Sequence, residues 1–177
     1  SEKINVQKSK VELNEKDKIR TKLEYQEAMR IYRYKNETLQ WNEEFIMPMN
    51  SEITSDFGTK RVYNNKLRSY HSGIDFKAAV GTAIIASNDG IVKLAKNRFY
   101  AGNSIIIDHG QAVYTCYFHL NSMIVKKNQF VKKGEIIGYS GSSGRVTGPH
   151  LHFATRVHGI LVEPTNLFSL LNSLNKD

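Results

Sequence analysis

The hydrophobic and polar positions divide the chain into two zones with different periodicities. Residues 1 to about 40 are rich in charge and contain no glycine or proline. Within this zone Ile19, Leu23 and Met29 recur at loosely helical spacing, and Asn14 is a suitable cap for the helix that they predict. We therefore predict a helix from Asn14 to about Lys35. Its apolar face is thin, so it needs a partner surface, and a linker helix of a longer protein is the favoured interpretation.

From about Ile46 the pattern changes to short apolar runs separated by glycine-rich turns, which predicts strands. The predicted strands are 53–57, 82–86, 90–95, 104–108, 111–119, 131–139, 151–157 and 160–162. Asn88-Asp89-Gly90 and His109-Gly110 are predicted hairpin turns, Lys133-Gly134 interrupts one strand, and His158-Gly159 joins the last two. After Pro164, residues 165–174 are predicted to form a short helix.

These elements predict a mainly β fold, an antiparallel sheet or sandwich, with an N-terminal α-helical extension. Trp41, Phe45 and Pro48 mark the seam between the two zones. We predict a helical extension over residues 1–45, a β domain over 46–168, and a helix end with a tail over 169–177.

Composition limits the classes of function. No run of 18 or more apolar residues occurs, so no membrane-spanning helix is predicted. The first residues are polar and lack a signal pattern, so we expect a cytosolic chain or a mature or shortened form of an exported protein. The single cysteine, Cys116, excludes an internal disulfide and a cysteine-based zinc site.

The chain is basic, with a formal net charge of +8 from 25 Lys and Arg against 17 Asp and Glu. A positive surface favours polyanions, and a merely solvated basic surface explains the charge equally well. Because no helix-turn-helix, zinc-finger or RNA-binding aromatic motif accompanies the charge, nucleic acid is not predicted as a partner.

Four of the six histidines and one aspartate form an interpretable set. His71 and Asp75 lie four residues apart, an even spacing that points both to one face of an extended segment. His150 and His152 lie two apart on a predicted strand and also share a face. His119 ends the predicted strand 113–119.

This set of side chains contains what zinc catalysis needs. A catalytic zinc takes three nitrogen or oxygen ligands and leaves its fourth position for water. Two imidazoles and one carboxylate leave the metal net positive, so it can polarise a carbonyl. Another group must take the proton of the water, and one must stabilise the oxyanion. His119, and whichever of His150 and His152 is not a ligand, remain for these roles.

Other residues near these motifs are predicted to be structural. Leu151 and Phe153 alternate with the two histidines of their strand and should point into the core. His109 and His158 sit beside glycines in turns. Cys116 lies three residues before the end of its strand, so we expect it in the core, on the face opposite to His119.

Four segments resemble the motifs of the LytM/lysostaphin-type zinc peptidases, in the order found in that family, across roughly residues 46–168. They are His71-Ser72-Gly73-Ile74-Asp75-Phe76, Tyr117-Phe118-His119-Leu120, Gly138-Tyr139-Ser140-Gly141-Ser142-Ser143-Gly144 and Thr147-Gly148-Pro149-His150-Leu151-His152-Phe153. The resemblance implies a small β-sheet domain whose active site lies in a groove floored by the sheet and walled by loops.

The resemblance also implies roles for the five site residues. His71, Asp75 and His152 would bind one zinc ion per chain, and His119 and His150 would activate water and steady the transition state. Members of the family cut peptidoglycan peptides, and some set cell shape. We therefore expect an exported protein of the periplasm or cell envelope, whose signal, membrane tether or upstream domain would lie outside this sequence.

The expected substrate is the stem peptide of peptidoglycan, cut at its D-Ala to diaminopimelate cross-link. Residues 57–71 look like the corresponding segment of Gram-negative members. The approach to the first ligand is also basic, and arginine can bind a carboxylate with two parallel hydrogen bonds. Arg61 and Arg156 are the candidates for binding stem-peptide carboxylates, whereas Lys66 and Arg68 are better explained as solvated loop residues. A polyglycine bridge would not need these charges.

Two alternatives from other functional classes remain. A non-catalytic wall-binding or hydrolase-activating module would usually lack the metal ligands, all of which are present here. A regulatory zinc protein with a closed site would need a fourth protein ligand. The sequence leaves the balance of endopeptidase and carboxypeptidase activity open.

Overall fold

The computed structural model describes residues 1–174, and the last part of the predicted tail, 175–177, lies outside the described residues. The helices are α1 (Glu15–Arg33) and α2 (Pro164–Leu174). The strands are β1 (Glu2–Ile4), β2 (Ile53–Ser55), β3 (Lys60–Tyr63), β4 (Leu67–Tyr70), β5 (Ile74–Lys77), β6 (Ala83–Ile85), β7 (Gly90–Arg98), β8 (Gly102–Asp108), β9 (Val113–Met123), β10 (Phe130–Val131), β11 (Ile136–Ser140), β12 (His150–Val157) and β13 (Ile160–Val162). The predicted mainly β fold is confirmed.

Most strands form one antiparallel sheet in the order β10-β7-β8-β9-β12-β5-β2. Beside this path, β13 pairs with β12, and β11 pairs with both β6 and β9. Side chains of successive strand residues point to opposite faces, so β12 contributes side chains to both faces of the sheet. Leu151 and Phe153 are fully buried in the main core, as predicted, whereas Ala154 faces a second apolar cluster on the other side.

Helix α1 covers part of that second face. It begins where predicted, because the Asn14 side chain accepts a hydrogen bond from the backbone N–H of Asp17. The predicted apolar face was only partly correct, since Ile19 and Leu23 are exposed. The buried residues of α1 are Ala28 and Tyr32, which pack on the sheet with the following residues: Leu94, Ile106, Tyr114, Cys116 and Ala154.

Two predicted turns are confirmed. The His109-Gly110 region connects the antiparallel pair β8 and β9. The His158-Gly159 turn connects β12 to β13, and both residues have positive φ angles of 50° and 80°, as a two-residue hairpin requires.

The predicted hairpin at Asn88-Asp89-Gly90 is wrong. β6 pairs with β11, while β7 pairs with β10 and β8. The turn is tied to other segments, because Asn88 Nδ2 donates to the Glu43 carbonyl and Asp89 Oδ1 accepts from the Lys133 N–H. These contacts carry the chain from one set of strand partners to another instead of folding it back on itself.

A small second sheet, β1-β3-β4, was not predicted. Its β3–β4 hairpin turns at Asn64 and Asn65, whose φ angles are 49° and 58°, a backbone conformation that asparagine tolerates well. β1 comes from the N-terminal zone and pairs in parallel with β3. This sheet therefore brings the start of the chain beside Arg61.

The seam between the zones belongs to the folded unit, because Trp41 and Phe45 are buried in the main core. The domain division at residue 46 stays a prediction. No helix within residues 1–174 combines the length and the apolar character needed to cross a bilayer.

His109 is a buried structural histidine, in agreement with its expected role. Its Nδ1–H donates to the Asp89 carbonyl at 2.7 Å, and its Nε2 accepts from the Thr115 hydroxyl at 2.8 Å. Burial lowers the pKa of His109 to about 4, below the value of about 6.5 for an unfolded chain. The neutral ring therefore stabilises the fold fully above about pH 6.5, and this stabilisation is lost as the pH falls toward 4.

We expect His109→Gln to reduce the loss of unfolding free energy that occurs as the pH falls below about 6.5. The pKa shift of His109 corresponds to a change in the free energy of unfolding of roughly 3 kcal/mol at most between neutral pH and pH values below the folded pKa. Urea unfolding of wild type and variant from about pH 4.5 to about pH 8 measures the difference. His158→Gln, at an exposed turn, is the matched control and should keep the wild-type slope. An unchanged slope in the His109 variant would contradict the assignment.

Candidate functional site

The pairing of β5 with β12 brings three predicted site residues together. Asp75 on β5 and His152 on β12 are direct cross-strand partners, and His71 lies in the loop that enters β5. That loop can approach β12 closely because residue 73 is glycine. A Cβ atom on Gly73 would lie 2.2 Å from the Phe153 carbonyl oxygen, which is a severe clash.

The ligand-type atoms of these residues form a tight triangle. His71 Nε2 lies 3.0 Å from Asp75 Oδ1 and 2.9 Å from His152 Nδ1. His152 Nδ1 lies 2.8 Å from Asp75 Oδ1. All three residues are buried, and among residues 1–174 they form the group of side chains arranged to hold a metal ion.

The chemistry of this donor set fits a zinc ion. His71 Nδ1 lies 2.8 Å from the Asp56 carbonyl oxygen, which can only accept, so Nδ1 carries the proton and Nε2 presents a lone pair. That lone pair faces the carboxylate oxygen of Asp75, another acceptor. A shared proton or a metal cation between the two atoms relieves this repulsion. Two imidazole nitrogens and one carboxylate oxygen are also ligands that zinc prefers.

Asp75 uses its two oxygens for different partners. Oδ1 faces the histidines, and Oδ2 accepts a 2.6 Å hydrogen bond from Arg61 Nη2. Burial raises the pKa of Asp75, but hydrogen bonds and attraction from His152 and His71 outweigh it and hold the pKa well below its usual range. Asp75 is therefore an ionised carboxylate with a fixed orientation.

His119 reaches the site through an irregularity in β9. We predicted that the strand ends at His119, but it continues to Met123. His119 has a positive φ of 65°, and the register with β8 shifts between Asn103 and Ile105. Such a bulge redirects a side chain. The ring of His119 consequently lies 6.0 Å from that of His152.

The bulge also explains a wrong prediction about Cys116. It is buried, as expected, but its neighbours are Ala154 of β12 and Tyr32 of α1. Ala154 shares a strand face with His152, so Cys116 and the site residues lie on the same side of the sheet. The extra residue of the bulge changes the parity from which opposite faces were inferred.

His119 and His150 stand beside the triangle. Their ring centroids are 5.0 Å apart, and His150 Nε2 is 3.8 Å from Asp75 Oδ1. Their Nδ1 atoms lie 2.8 and 2.9 Å from the carbonyls of Ser143 and Gly148, so each Nε2 is free to accept a proton. Burial, then repulsion from His150 and His152, lowers the pKa of His119 well below its usual value, which keeps this ring neutral.

The triangle and both neighbouring histidines line one groove of about 690 Å³. Arg61 and Arg156, the candidates for substrate binding, also line it. Arg61 donates to Asp75, Glu2 and Ser55. Arg156 donates to the Gly159 carbonyl at 2.6 Å and lies over the Tyr32 ring. Both guanidinium groups thus have internal partners, and their role toward substrate stays a prediction.

Sequence reasoning missed Arg145. Its guanidinium lies in the same groove, between the rings of Tyr63 and Tyr100, with centroid distances of 4.2 and 4.3 Å. A local signal existed, because Arg145 stands between two of the motif segments. The two aromatic partners come from distant parts of the chain, and no spacing rule connects them to it.

Comparison with known proteins identifies relatives of this chain. The family model described as "Peptidase family M23" matches residues 69–164. Over 108 residues, or 60% of the chain, the sequence is 44% identical to peptidoglycan DD-endopeptidase ShyA of Vibrio cholerae. This match covers 25% of ShyA, so the chain spans about a quarter of the length of that relative.

Solved structures show the same fold. A Pseudomonas aeruginosa crystal structure described as a peptidase M23 superposes with a TM-score of 0.76 and 31% identity, covering 88% of this chain and 63% of that one. A zinc-containing peptidase from Vibrio cholerae superposes with a TM-score of 0.64 and 38% identity, covering 68% and 39% of the two chains. The likeness to the first structure extends well beyond residues 69–164.

Proposed function

This chain belongs to peptidase family M23, and from that premise we propose that it is a zinc-dependent peptidoglycan hydrolase. It cleaves the D-Ala to diaminopimelate cross-links between stem peptides during remodelling of the cell wall. The observation that best supports this proposal is the buried triangle of His71, Asp75 and His152, whose ligand-type atoms lie within 3.0 Å of one another. A bound zinc ion would satisfy all three donor atoms at once.

His71 Nε2, Asp75 Oδ1 and His152 Nδ1 would hold one zinc ion per chain. A zinc ion supplies Lewis acidity, which polarises a peptide carbonyl and lowers the pKa of bound water. The backbone carbonyl behind His71 fixes the orientation of its ring, and Arg61 does the same for Asp75. Such supporting partners raise the affinity of a metal site.

His119 and His150 serve proton transfer and charge stabilisation. Each has its Nδ1–H held by a backbone carbonyl, so its Nε2 can take a proton and then donate it toward developing charge. The close approach of the two rings supports a role for both at the same reacting carbonyl. Under this assignment three protein side chains would hold the metal, which is the number found in catalytic zinc sites.

A closed structural site is less well supported. Its fourth ligand would have to be His150 or His119, and within residues 1–174 the atoms that converge belong only to the other three residues. The complete ligand set likewise favours an enzyme over a non-catalytic wall-binding module.

The relatives support the choice of substrate and compartment. ShyA is by name a peptidoglycan DD-endopeptidase of Vibrio cholerae. We propose that the chain acts in the periplasm or cell envelope, as the catalytic part of a protein that also has a tether or further domain.

Metal analysis together with digestion of purified wall fragments tests the proposal. The zinc-loaded protein should convert cross-linked muropeptide dimers to monomers, detected by mass, and should leave pentaglycine intact. A chelator should abolish the reaction, and added zinc should restore it. Cleavage of pentaglycine with intact dimers would overturn the substrate assignment, and hydrolysis by metal-free protein would overturn the mechanism.

Arg61→Ala should weaken zinc binding by about 10- to 100-fold, because it frees Asp75 Oδ2 from its partner. Competition with a chromophoric chelator measures the affinity. Arg61→Lys should recover part of it, since it keeps the charge but loses the planar donors that also contact Glu2 and Ser55. Arg68→Ala, at an exposed position of β4, is the control. Wild-type affinity in the Arg61→Ala protein would show that Asp75 needs no such support.

A further inference from the structure

The groove carries more positive than negative charge. Its cationic lining residues are Lys3, Arg61, Arg98, Arg145 and Arg156, and its acidic ones are Glu2 and Asp75. Both acidic side chains are paired with Arg61. Within residues 1–174, no salt bridge joins the other three arginines of the groove to a carboxylate. A concave surface of one sign concentrates ligands of the opposite charge.

Arg145 differs from the other two unpaired arginines. Arg98 donates to the Glu24 carbonyl and Arg156 to the Gly159 carbonyl. In residues 1–174 the guanidinium of Arg145 has no hydrogen-bond acceptor and is held only by the faces of Tyr63 and Tyr100. Stacking fixes the plane of a guanidinium but uses none of its N–H donors. Its donors thus remain available to a ligand in the groove.

The backbone around Arg145 is held as firmly as its side chain. The Arg145 N–H donates to the Tyr100 carbonyl at 2.9 Å. Gly144 before it has a positive φ of 86°, and a Cβ there would lie 2.4 Å from the same carbonyl. Ser143, one residue further back, accepts the His119 Nδ1–H through its carbonyl. One short loop therefore positions both a proposed catalytic ring and the stacked arginine.

We propose that Arg145, clamped between Tyr63 and Tyr100, binds a free carboxylate of the peptide in the groove. This inference rests on the proposed function and names one residue that determines its substrate. A guanidinium of fixed plane matches the two oxygens of a carboxylate and loses little conformational freedom on binding. The stem peptide offers such groups on D-Glu and on diaminopimelate, and amidation removes their charge.

Hydrolysis of paired substrates tests the proposal. One dimer carries free carboxylates, a second is amidated at D-Glu, and a third is amidated at diaminopimelate. Arg145→Ala should lower kcat/KM for the free dimer by about 10- to 100-fold, mainly through KM. For the dimer amidated at the carboxylate that Arg145 binds, wild type and variant should be nearly equal. Zinc content should not change, and Arg68→Ala should behave as wild type.

Two further variants distinguish carboxylate binding by Arg145 from a purely structural role of its side chain. Arg145→Lys keeps a point charge without the planar fork and should recover only part of the loss. Tyr100→Leu keeps the arginine but removes one face of the stack, and it should raise KM. An equal loss for free and amidated dimers would show that Arg145 acts only on structure, and the proposal would be wrong.

Binding of the uncross-linked tetrapeptide provides a readout that does not require cleavage. Titration calorimetry of zinc-loaded protein should give a dissociation constant about 10- to 100-fold weaker for Arg145→Ala than for wild type. Arg145-dependent binding without cleavage of dimers would refute the hydrolase and leave the carboxylate site standing. Cleavage of dimers with binding unaffected by Arg145→Ala would overturn the site and leave the hydrolase. Absence of any tetrapeptide binding to wild type would also overturn the site.

Discussion

His152→Ala is expected to lose bound zinc and hydrolytic activity together. The substitution removes one of three donor atoms, and a site with two protein ligands cannot hold the ion against water. Zinc content should fall from about one equivalent to near none. His71→Ala and Asp75→Ala should behave in the same way. Metal analysis of the purified variants, beside turnover of cross-linked dimers, is the measurement.

The loss must be separated from unfolding. The His152 ring stacks on Phe118, with centroids 5.6 Å apart, so alanine also leaves a small cavity. Circular dichroism and thermal unfolding of wild type and variant, both metal-free, compare the folds without the ion. His158→Asn, at the exposed turn with a φ of 50°, should keep its zinc and its activity. A folded His152→Ala protein with full zinc content would remove His152 from the ligand set.

His150→Ala is expected to keep zinc but to lower turnover by about 100-fold or more, the usual size for lost proton transfer or oxyanion stabilisation. Its Nε2 is 3.8 Å from Asp75 Oδ1 and lies outside the triangle, so the metal retains its ligands. The effect should fall on kcat, because the side chain acts on the reacting carbonyl and not on the rest of the peptide.

The His119 variant needs a substitution that suits the backbone. At a φ of 65° asparagine is tolerated better than alanine, so His119→Asn tests the chemistry with the least strain. It should also retain zinc and lose about 100-fold in turnover. A zinc-free His150→Ala protein beside a zinc-loaded His152→Ala protein would show that the two roles are exchanged.

Much of the fold follows from local patterns. The cap at Asn14 and the glycine turn at His158-Gly159 are properties of a few adjacent residues, and both elements formed where predicted. The failed hairpin at Asn88-Asp89-Gly90 had the same kind of local signal. There the side chains found partners far away in the sequence, at Glu43 and Lys133, and these decided the path of the chain.

In the candidate site, too, some features follow from local sequence and others depend on distant partners. Strand alternation alone placed His150 and His152 on one face and Leu151 in the core, since side chains two apart in a strand share a face. The same rule failed for Cys116 because it assumes an unbroken strand, and the bulge at His119 breaks it. The identity of the donor atoms depends on hydrogen bonds with backbone carbonyls that no sequence pattern specifies.

The sequence by itself determined the two zones, the mainly β class and the candidate metal ligands, because residue type and short-range spacing are written directly in the chain. Only the tertiary structure decided which of these residues meet and which are already engaged. Arg61 faces Asp75 and Glu2, whereas Arg145 is left with free donors between two tyrosines. The charge of an arginine is local, but its availability depends on neighbours brought from distant segments by sheet pairing.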